Sequence, residues 1–149
     1  MPDSKQKKVA IIDYGMGNLF SVQRACEHVG LAATITSDKA ELLSAQAAIL
    51  PGVGAFGDAM ENLQKRDLVA PLKDFIYSGK PFMGICLGLQ LLMSESEEFG
   101  RHRGLDILKG NVVKFHPQHS PTRKAKVPQV GWNKIYKSTG ANGQWELSP

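Results

Sequence analysis

Short apolar runs alternate with helical patterns of apolar residues along the first two thirds of the chain. The runs have the length and β-branched character of buried strands, and the segments between them repeat apolar residues at helical spacing. The predicted strands are Val9–Tyr14, Ala33–Thr36, Ala47–Leu50 and Lys80–Ile85, and the predicted helices are Leu19–Val29, Asp38–Leu43, Asp58–Leu63, Leu68–Tyr77 and Leu87–Ser94. Such βα units with short connections predict an α/β fold with a mostly parallel sheet covered by helices on both faces, and functional loops at the carboxyl ends of its strands.

The helix boundaries carry local signals of their own. Asp38 precedes a helical segment and has Glu41 at the capping-box position, whereas Gly30 and Gly79 follow two others. After Gly100 the pattern changes, because two predicted strands, 105–115 and 127–136, are joined by a loop that bears prolines and charges. We therefore expect this last portion to be antiparallel or irregular.

Length and composition are those of one globular domain spanning residues 1–149, with 42% hydrophobic residues. Two cysteines at unrelated spacing do not make a disulfide framework, which favours the cytoplasm. The polar start of the chain precedes no apolar run long enough for a signal peptide or a membrane span, so no membrane association is expected. Neither a metal site nor a cofactor site is indicated.

The net charge of +4 is unevenly distributed, because seven lysines and arginines and no acidic residue lie between positions 109 and 137. This basic stretch is either a solvated face or a surface that favours an acidic partner or a phosphorylated substrate. It lacks interleaved aromatic residues and a recognition-helix pattern, so nucleic-acid binding is not expected.

The stretch Gly84–Gly88 places Cys86 between glycines where a predicted strand gives way to a predicted helix. This arrangement is typical of a nucleophile elbow, in which the amide of the following residue, here Leu87, points at the reacting carbonyl oxygen. The alternative is a small core residue, the commonest role of a free cysteine. Cys26 fits that alternative, because it lies inside a helical apolar pattern with no glycine beside it.

A second candidate loop, Pro51–Gly57, follows the strand that ends at Leu50 and contains three glycines. Its unhindered amides are suited to stabilise a developing oxyanion. An ordinary glycine-rich βα turn explains the loop equally well when it is taken alone. It has neither the lysine of a phosphate-binding P-loop nor the spacing of a dinucleotide fingerprint, so nucleotide binding is not supported.

Four motifs together carry a resemblance to a known family: Asp13–Leu19, Pro51–Gly54, Gly84–Gln90 and Pro128–Asn133. In this order they resemble the glutaminase subunits of imidazole glycerol phosphate synthases, which are class I, triad-type glutamine amidotransferases. The resemblance covers residues 8–145. It implies a flavodoxin-like three-layer sandwich whose last strands are missing from this chain.

The resemblance implies that Cys86 attacks the carboxamide of glutamine and forms a glutamyl thioester. The amide of Leu87 and the loop amides around Gly52, Val53 and Gly54 would form the oxyanion hole, and Gln90 would help to hold the substrate. No cofactor is implied.

The resemblance also implies a heterodimer with a barrel-shaped cyclase subunit, which consumes the ammonia in histidine biosynthesis. The residues that match the family's interface positions are Tyr14, Gly15, Met16, Gly17, Asn18 and Trp132.

The chain departs from the family in its proton-transfer residues. The family's histidine and glutamate come from a His-Pro-Glu segment near the C-terminus, and this chain reaches Pro149 without one. His116 is followed by Pro117 and Gln118, but a glutamine cannot stabilise an imidazolium as a carboxylate does. We therefore expect the front part of a longer enzyme, nearly inactive by itself.

Three alternatives remain open from the sequence. In the first alternative the chain supplies ammonia to a related sugar-amidating enzyme. In the second it is a non-catalytic truncated homologue that only binds the partner. The third alternative is a different cysteine enzyme on a flavodoxin-like sheet, such as a peptidase or a redox sensor.

Overall fold

A computed structural model describes residues 7–114 and 131–132 of the chain. The chain divides into two compact units, Met1–Lys114 and Phe115–Pro149. All the elements described below belong to the first unit, and the predicted strand at 127–136 lies outside the described residues except at 131 and 132. The single-domain organisation stays a prediction.

Helices and strands alternate through most of the first unit. In chain order they are β1 (Lys8–Ile12), α1 (Leu19–His28), β2 (Ala32–Thr36), α2 (Lys39–Ser44), β3 (Ala47–Leu50), α3 (Phe56–Lys65), α4 (Val69–Tyr77), β4 (Phe82–Gly84), α5 (Leu87–Gln90), β5 (Met93–Ser96), β6 (His102–Arg103) and β7 (Leu108–Val112). The strands and helices predicted up to Tyr77 are confirmed within a few residues at their ends.

The first four strands form a parallel sheet in the order β2-β1-β3-β4. In the central register Ile11 lies between Ile35 of β2 and Ile49 of β3. Parallel strands end at the same edge of a sheet, so the segments that follow β1, β3 and β4 meet there. The predicted parallel sheet is confirmed.

Successive residues of β1 and β3 point to opposite faces of the sheet, and each face is covered by helices. On one face Ile12 and Leu50 pack in a large buried cluster with residues of α2, α3 and α4. On the other face Val9 and Ile49 pack against Cys26 of α1. This arrangement confirms the predicted three layers, and it confirms Cys26 as a core residue. Burial, with a smaller effect of Glu27, raises the pKa of its thiol.

Most of the residues predicted to begin or end helices lie at the helix ends in the structure. The carboxylate of Asp38 accepts a hydrogen bond from the amide of Glu41 at 2.8 Å and so caps α2. The amide of Asp38 donates to Thr36 Oγ1 at 3.0 Å, so Thr36 takes the place that the capping box gives to the Glu41 side chain. Gly30 and Gly79, beyond the ends of α1 and α4, have φ values of 80° and 77°.

The predicted helix Leu87–Ser94 is wrong beyond its first turn. It ends at Gln90, and the chain continues into β5, which lies in a second sheet of order β6-β5-β7. Leu91 and Leu92 are buried, and a short buried apolar run does not distinguish a helix from a strand. This sheet is mixed, because β5 pairs antiparallel with β6 and parallel with β7. The predicted strand at 105–115 is shorter than expected and is confined to β7.

Candidate active site

The predicted elbow is present between β4 and α5. Cys86 has φ 55° and ψ −115°, a conformation that side-chain-bearing residues rarely adopt. Its carbonyl accepts from the amides of Leu89 and Gln90 at 3.0 and 3.2 Å, which closes the turn. The Cys86 side chain is exposed. The strand-to-helix turn therefore presents the thiol to solvent in the strained geometry typical of a nucleophile elbow.

One glycine on each side of Cys86, Gly84 before it and Gly88 after it, lets the neighbouring backbone segments come close together. A Cβ atom at Gly88 would collide with the carbonyl oxygen of Leu50, and one at Gly84 would lie 2.7 Å from the Cα atom of Leu89. The amide of Ile85 also donates to the Leu50 carbonyl at 3.0 Å. The elbow is thus fixed directly against the end of β3.

The loop that follows β3 packs against the elbow, as the sequence reasoning requires. A Cβ atom at Gly52 would lie 2.8 Å from the amide nitrogen of Gly88 and 2.9 Å from Cβ of Leu87. Within residues 7–114 and 131–132, the amides of Leu87, Val53 and Gly54 donate no hydrogen bond to the protein. Without a partner among the described residues, these amides can donate to a ligand oxygen, although their role in an oxyanion hole stays a prediction.

The buried side chain of Tyr14 supports the loop that follows β3. Its side chain is fully buried, and its hydroxyl donates to the carbonyl of Pro51 at 2.9 Å. Burial, and to a smaller extent the charge of Cys86, raise the pKa of Tyr14 to about 12. The Tyr14 side chain offers no exposed surface to a partner, and an interface role for Tyr14 stays a prediction. Its position makes it a support for the Pro51–Gly54 segment.

The rest of the segment after β1 lies beside the same loop. The Cε atom of Met16 lies 2.8 Å from where a Cβ of Gly54 would be, and Pro51 lies close to Gly17. Asn18 caps α1, because its Oδ1 accepts from the amide of Ser21 at 3.2 Å. Of the predicted interface residues, Met16 and Gly17 therefore border the Pro51–Gly54 loop.

These residues have surface available for contact. Gly15 and Asn18 are exposed, Met16 and Gly17 are partly exposed, and the Val53 side chain is 55% exposed. Trp132, in the second unit, is fully exposed. An interface role for them stays a prediction.

Gln90 lies one turn after Cys86, at the last position of α5, and its amide donates to the Cys86 carbonyl. The two residues therefore share one side of the short helix. The Gln90 side chain is exposed, so it is accessible to a substrate. Its substrate-binding role remains a prediction.

A base for Cys86 is not found among the described residues. The thiol makes no side-chain hydrogen bond to any of them. His102 lies on β6, and its ring packs against Gly57 of α3, whereas His116 lies outside the described residues. In the described part no group of three or more histidine, cysteine or acidic residues is placed to hold a metal ion, and no helix is long and apolar enough to cross a membrane.

Sequence reasoning missed two contacts at the site, the Tyr14 hydrogen bond to Pro51 and one made by Glu98. Glu98 Oε2 accepts from the amide of Phe56, the first residue of α3, at 2.8 Å. The two residues are 42 positions apart. The acidic segment around Glu98 is visible in the sequence, but nothing in its local pattern indicates the helix that it caps.

The parallel sheet, the elbow and the glycine loop define a class of protein. The chain belongs to the class-I glutamine amidotransferases, because the family model Glutamine amidotransferase class-I matches residues 10–145. A solved structure described as glutamine amidotransferase superposes with a TM-score of 0.60 over 70% of this chain and 55% of its own length, at 20% identity. That likeness concerns the fold, and it confirms the predicted flavodoxin-like α/β architecture.

Relatives within this family agree with the resemblance drawn from the motifs. The chain is 52% identical over 135 residues to imidazole glycerol phosphate synthase subunit HisH of Rhodopirellula baltica, a match that covers 90% of the chain and 64% of the relative. It is 44% identical over 137 residues to imidazole glycerol phosphate synthase subunit HisH 1 of Legionella pneumophila strain Paris, covering 92% of the chain and 64% of the relative. The chain therefore spans slightly less than two thirds of the length of these curated relatives.

Proposed function

We propose that the chain carries the nucleophile and the oxyanion loop of a glutaminase that supplies ammonia to an imidazole glycerol phosphate synthase. The observation that carries this proposal is the geometry of Cys86, exposed at φ 55° on a strand-to-helix turn that packs against the Pro51–Gly54 loop. The named relatives support the choice of glutamine as substrate.

The thiolate of Cys86 attacks the side-chain carbonyl carbon of glutamine, forming a C–S bond. The carbonyl oxygen gains negative charge, and the free amides of Leu87 and of Val53 or Gly54 stabilise it by hydrogen bonds. Collapse of this intermediate breaks the C–N bond, and the nitrogen leaves as ammonia after taking a proton. Water then hydrolyses the thioester, releasing glutamate and regenerating the thiol. Gln90 helps to orient the substrate in this scheme.

The proton-transfer residues would reach Cys86 along the open edge of the sheet. β4 pairs with β3, and no strand occupies its other edge in the described ranges. Met83 is 59% exposed, although it belongs to the strand that leads to the nucleophile. A further strand on this edge would end beside Cys86. We assign that position to the histidine and glutamate of the His-Pro-Glu segment that the resemblance implies.

The partner in this proposal is the barrel-shaped cyclase subunit, in a cytoplasmic heterodimer that takes up ammonia before it reaches solvent. Gly15, Met16, Gly17, Asn18 and Trp132 are the proposed contact residues. Met16 and Gly17 border the candidate oxyanion loop, so a docked partner would lie close to the position where ammonia is released.

Affinity labelling tests the proposal. The reagent is a chloromethyl ketone analogue of glutamine, from which the Cys86 thiolate displaces chloride to form a thioether. Mass spectrometry of the intact protein and of its peptides locates the modified residue. We expect the analogue to label Cys86 much faster than iodoacetamide does at about pH 8, near the ordinary pKa of a thiol. Cys86→Ala should abolish labelling, whereas Cys26→Ala, which removes the buried thiol, should not change it.

The outcomes distinguish the alternatives. Equal rates with both reagents would contradict a glutamine site and favour a different cysteine enzyme. Preferential labelling without measurable glutamine hydrolysis is what we expect of the 149-residue chain, because a site without its base keeps only the residual rate of binding and oxyanion contacts. Hydrolysis at a normal enzymatic rate would refute the assignment of the base to residues outside this chain.

A further inference from the structure

We propose that Arg66 is a specificity contact of the partner interface, and that its guanidinium binds a carboxylate of the cyclase subunit. Arg66 is the C-cap residue of α3 and is exposed. In the fold it lies beside Gly15, which is one of the proposed contact residues. The inference rests on the proposed function, because it concerns the partner named there.

The guanidinium of Arg66 is seated on the backbone of Gly15. Its Nη2 atom lies 3.1 Å from where a Cβ atom of Gly15 would be, and its Cζ and Nε atoms lie 3.8 Å from the same point. Gly15 has φ 88°, and its amide donates to Asp13 Oδ1 at 2.9 Å. A short turn therefore fixes the surface on which the guanidinium rests, and a side chain at position 15 would crowd it.

The charge of Arg66 is not compensated within residues 7–114 and 131–132. Its side chain makes no hydrogen bond and no ion pair with any of them. The acidic groups that lie near it in sequence are engaged elsewhere, because Asp67 pairs with Lys39 at 3.8 Å and Glu61 pairs with Lys65 at 2.7 Å. The guanidinium therefore keeps its N–H donors available for a group from outside this unit.

The surroundings of this cation indicate what it binds. The next residues after Gly15 are Met16 and Gly17, which border the Pro51–Gly54 loop, so Arg66 lies on the segment that the partner is proposed to cover. On a protein surface the group complementary to a guanidinium is a carboxylate, which the planar fork binds through two parallel hydrogen bonds. Because the guanidinium already rests on Gly15, it loses less freedom on binding than an unsupported side chain does.

Binding of the whole chain to the purified cyclase subunit tests the contact, with association and dissociation rates measured by surface plasmon resonance. Arg66→Ala should raise Kd by about tenfold, mostly through faster dissociation, because truncating one member of a hydrogen-bonded interface pair acts on that rate. Arg66→Lys should recover only part of the loss, since an ammonium lacks the planar fork. Lys65→Ala is the matched control, because it removes the same charge from the neighbouring residue, which pairs with Glu61 instead.

A zero-length cross-linker identifies the group on the partner. A carbodiimide activates a carboxylate, and the amine introduced by Arg66→Lys attacks the activated carbon, loses a proton and expels the carbodiimide as a urea, which leaves an amide bond. We expect peptide mass spectrometry of the complex to find position 66 joined to an acidic side chain of the cyclase subunit. The unaltered complex is the blank, because a guanidinium does not form this bond.

Each result has a defined meaning. Unchanged Kd in Arg66→Ala, or an equal rise in Lys65→Ala, would overturn the contact. A loss confined to the association rate that disappears at high salt would also overturn it, since that is the signature of long-range attraction. Absence of a cross-link from position 66 to the partner would overturn the assigned carboxylate. Failure of the unaltered chain to bind the cyclase subunit would refute the proposed partner and this contact together, whereas labelling of Cys86 would still decide the glutamine site.

Discussion

Removing the Tyr14 hydroxyl tests how much its hydrogen bond to the oxyanion loop contributes to the stability of the folded protein. Tyr14→Phe keeps the buried ring but deletes the donor that the Pro51 carbonyl receives at 2.9 Å. The carbonyl then loses a buried partner, and such losses destabilise the folded protein by about 1 kcal/mol. Near neutral pH we expect the free energy of unfolding to fall by this amount.

At high pH the sign of the difference reverses. The pKa of Tyr14 is raised from 10.0 to about 12, so the folded protein holds the phenol proton more tightly than the unfolded chain does. This stabilisation is fully present below the unfolded pKa and is lost as the pH rises through the folded pKa. A shift of two units corresponds to a total loss of about 2.7 kcal/mol, of which about half has occurred by pH 11 and the last part is lost only above pH 12. Tyr14→Phe has no phenol, so it escapes this loss.

Urea unfolding at a series of pH values measures both effects. The unaltered protein should be more stable near neutral pH, and the two stability curves should cross between about pH 10 and pH 11. Tyr77→Phe is the control, because it removes a phenol from a side chain that is 70% exposed, and its curve should follow that of the unaltered protein. Parallel curves for Tyr14→Phe across the whole range would refute the reasoning, because they would show that Tyr14 titrates alike in both states.

Four further substitutions have expected outcomes in urea unfolding. Gly88→Ala should lower the free energy of unfolding by more than about 3 kcal/mol, because its methyl group collides with the Leu50 carbonyl. Gly79→Ala has open space around it and should lower that free energy by about 1 kcal/mol, because φ is positive there. Equal losses in the two variants would contradict the close approach at Gly88. Asp38→Ala should cost about 1 kcal/mol by removing the cap of α2, and an unchanged midpoint would show that water replaces it. Cys86→Gly should raise stability by about 1 kcal/mol by relieving strain at φ 55° while abolishing labelling; lower stability would contradict the strain.

Most of the parallel sheet could be predicted because its signals are local. The apolar runs of β1 to β3 and the cap at Asp38 are each contained in a few consecutive residues. The elbow at Cys86 is equally local, since strand, glycine, cysteine and glycine follow one another. The end of α5 was not predictable in this way, because Leu91 and Leu92 are buried whether the segment is helical or extended.

The two supports of the oxyanion loop could not be predicted, because neither is a local feature. The Tyr14 hydroxyl reaches a carbonyl 37 positions away, and the Glu98 carboxylate reaches an amide 42 positions away. The resemblance placed Tyr14, with the rest of the 13–18 segment, at positions that match the family's interface. In the fold Tyr14 points inward while Gly15 and Asn18 lie at the surface, and only the packing of β1 against the loop decides between these orientations.

The strained backbone of Cys86 explains why the site is built into the main core. A residue at φ 55° costs about 1–3 kcal/mol and persists only where its surroundings over-determine it. Tyr14, Leu50 and Leu87, which surround the elbow and its loop, all belong to the larger buried cluster. Their contacts converge on Gly52 and Gly88, where no side chain would fit. The packing that stabilises the fold is therefore also what holds the thiol and the free amides together, and a nucleophile at the tip of a surface loop would lack this constraint.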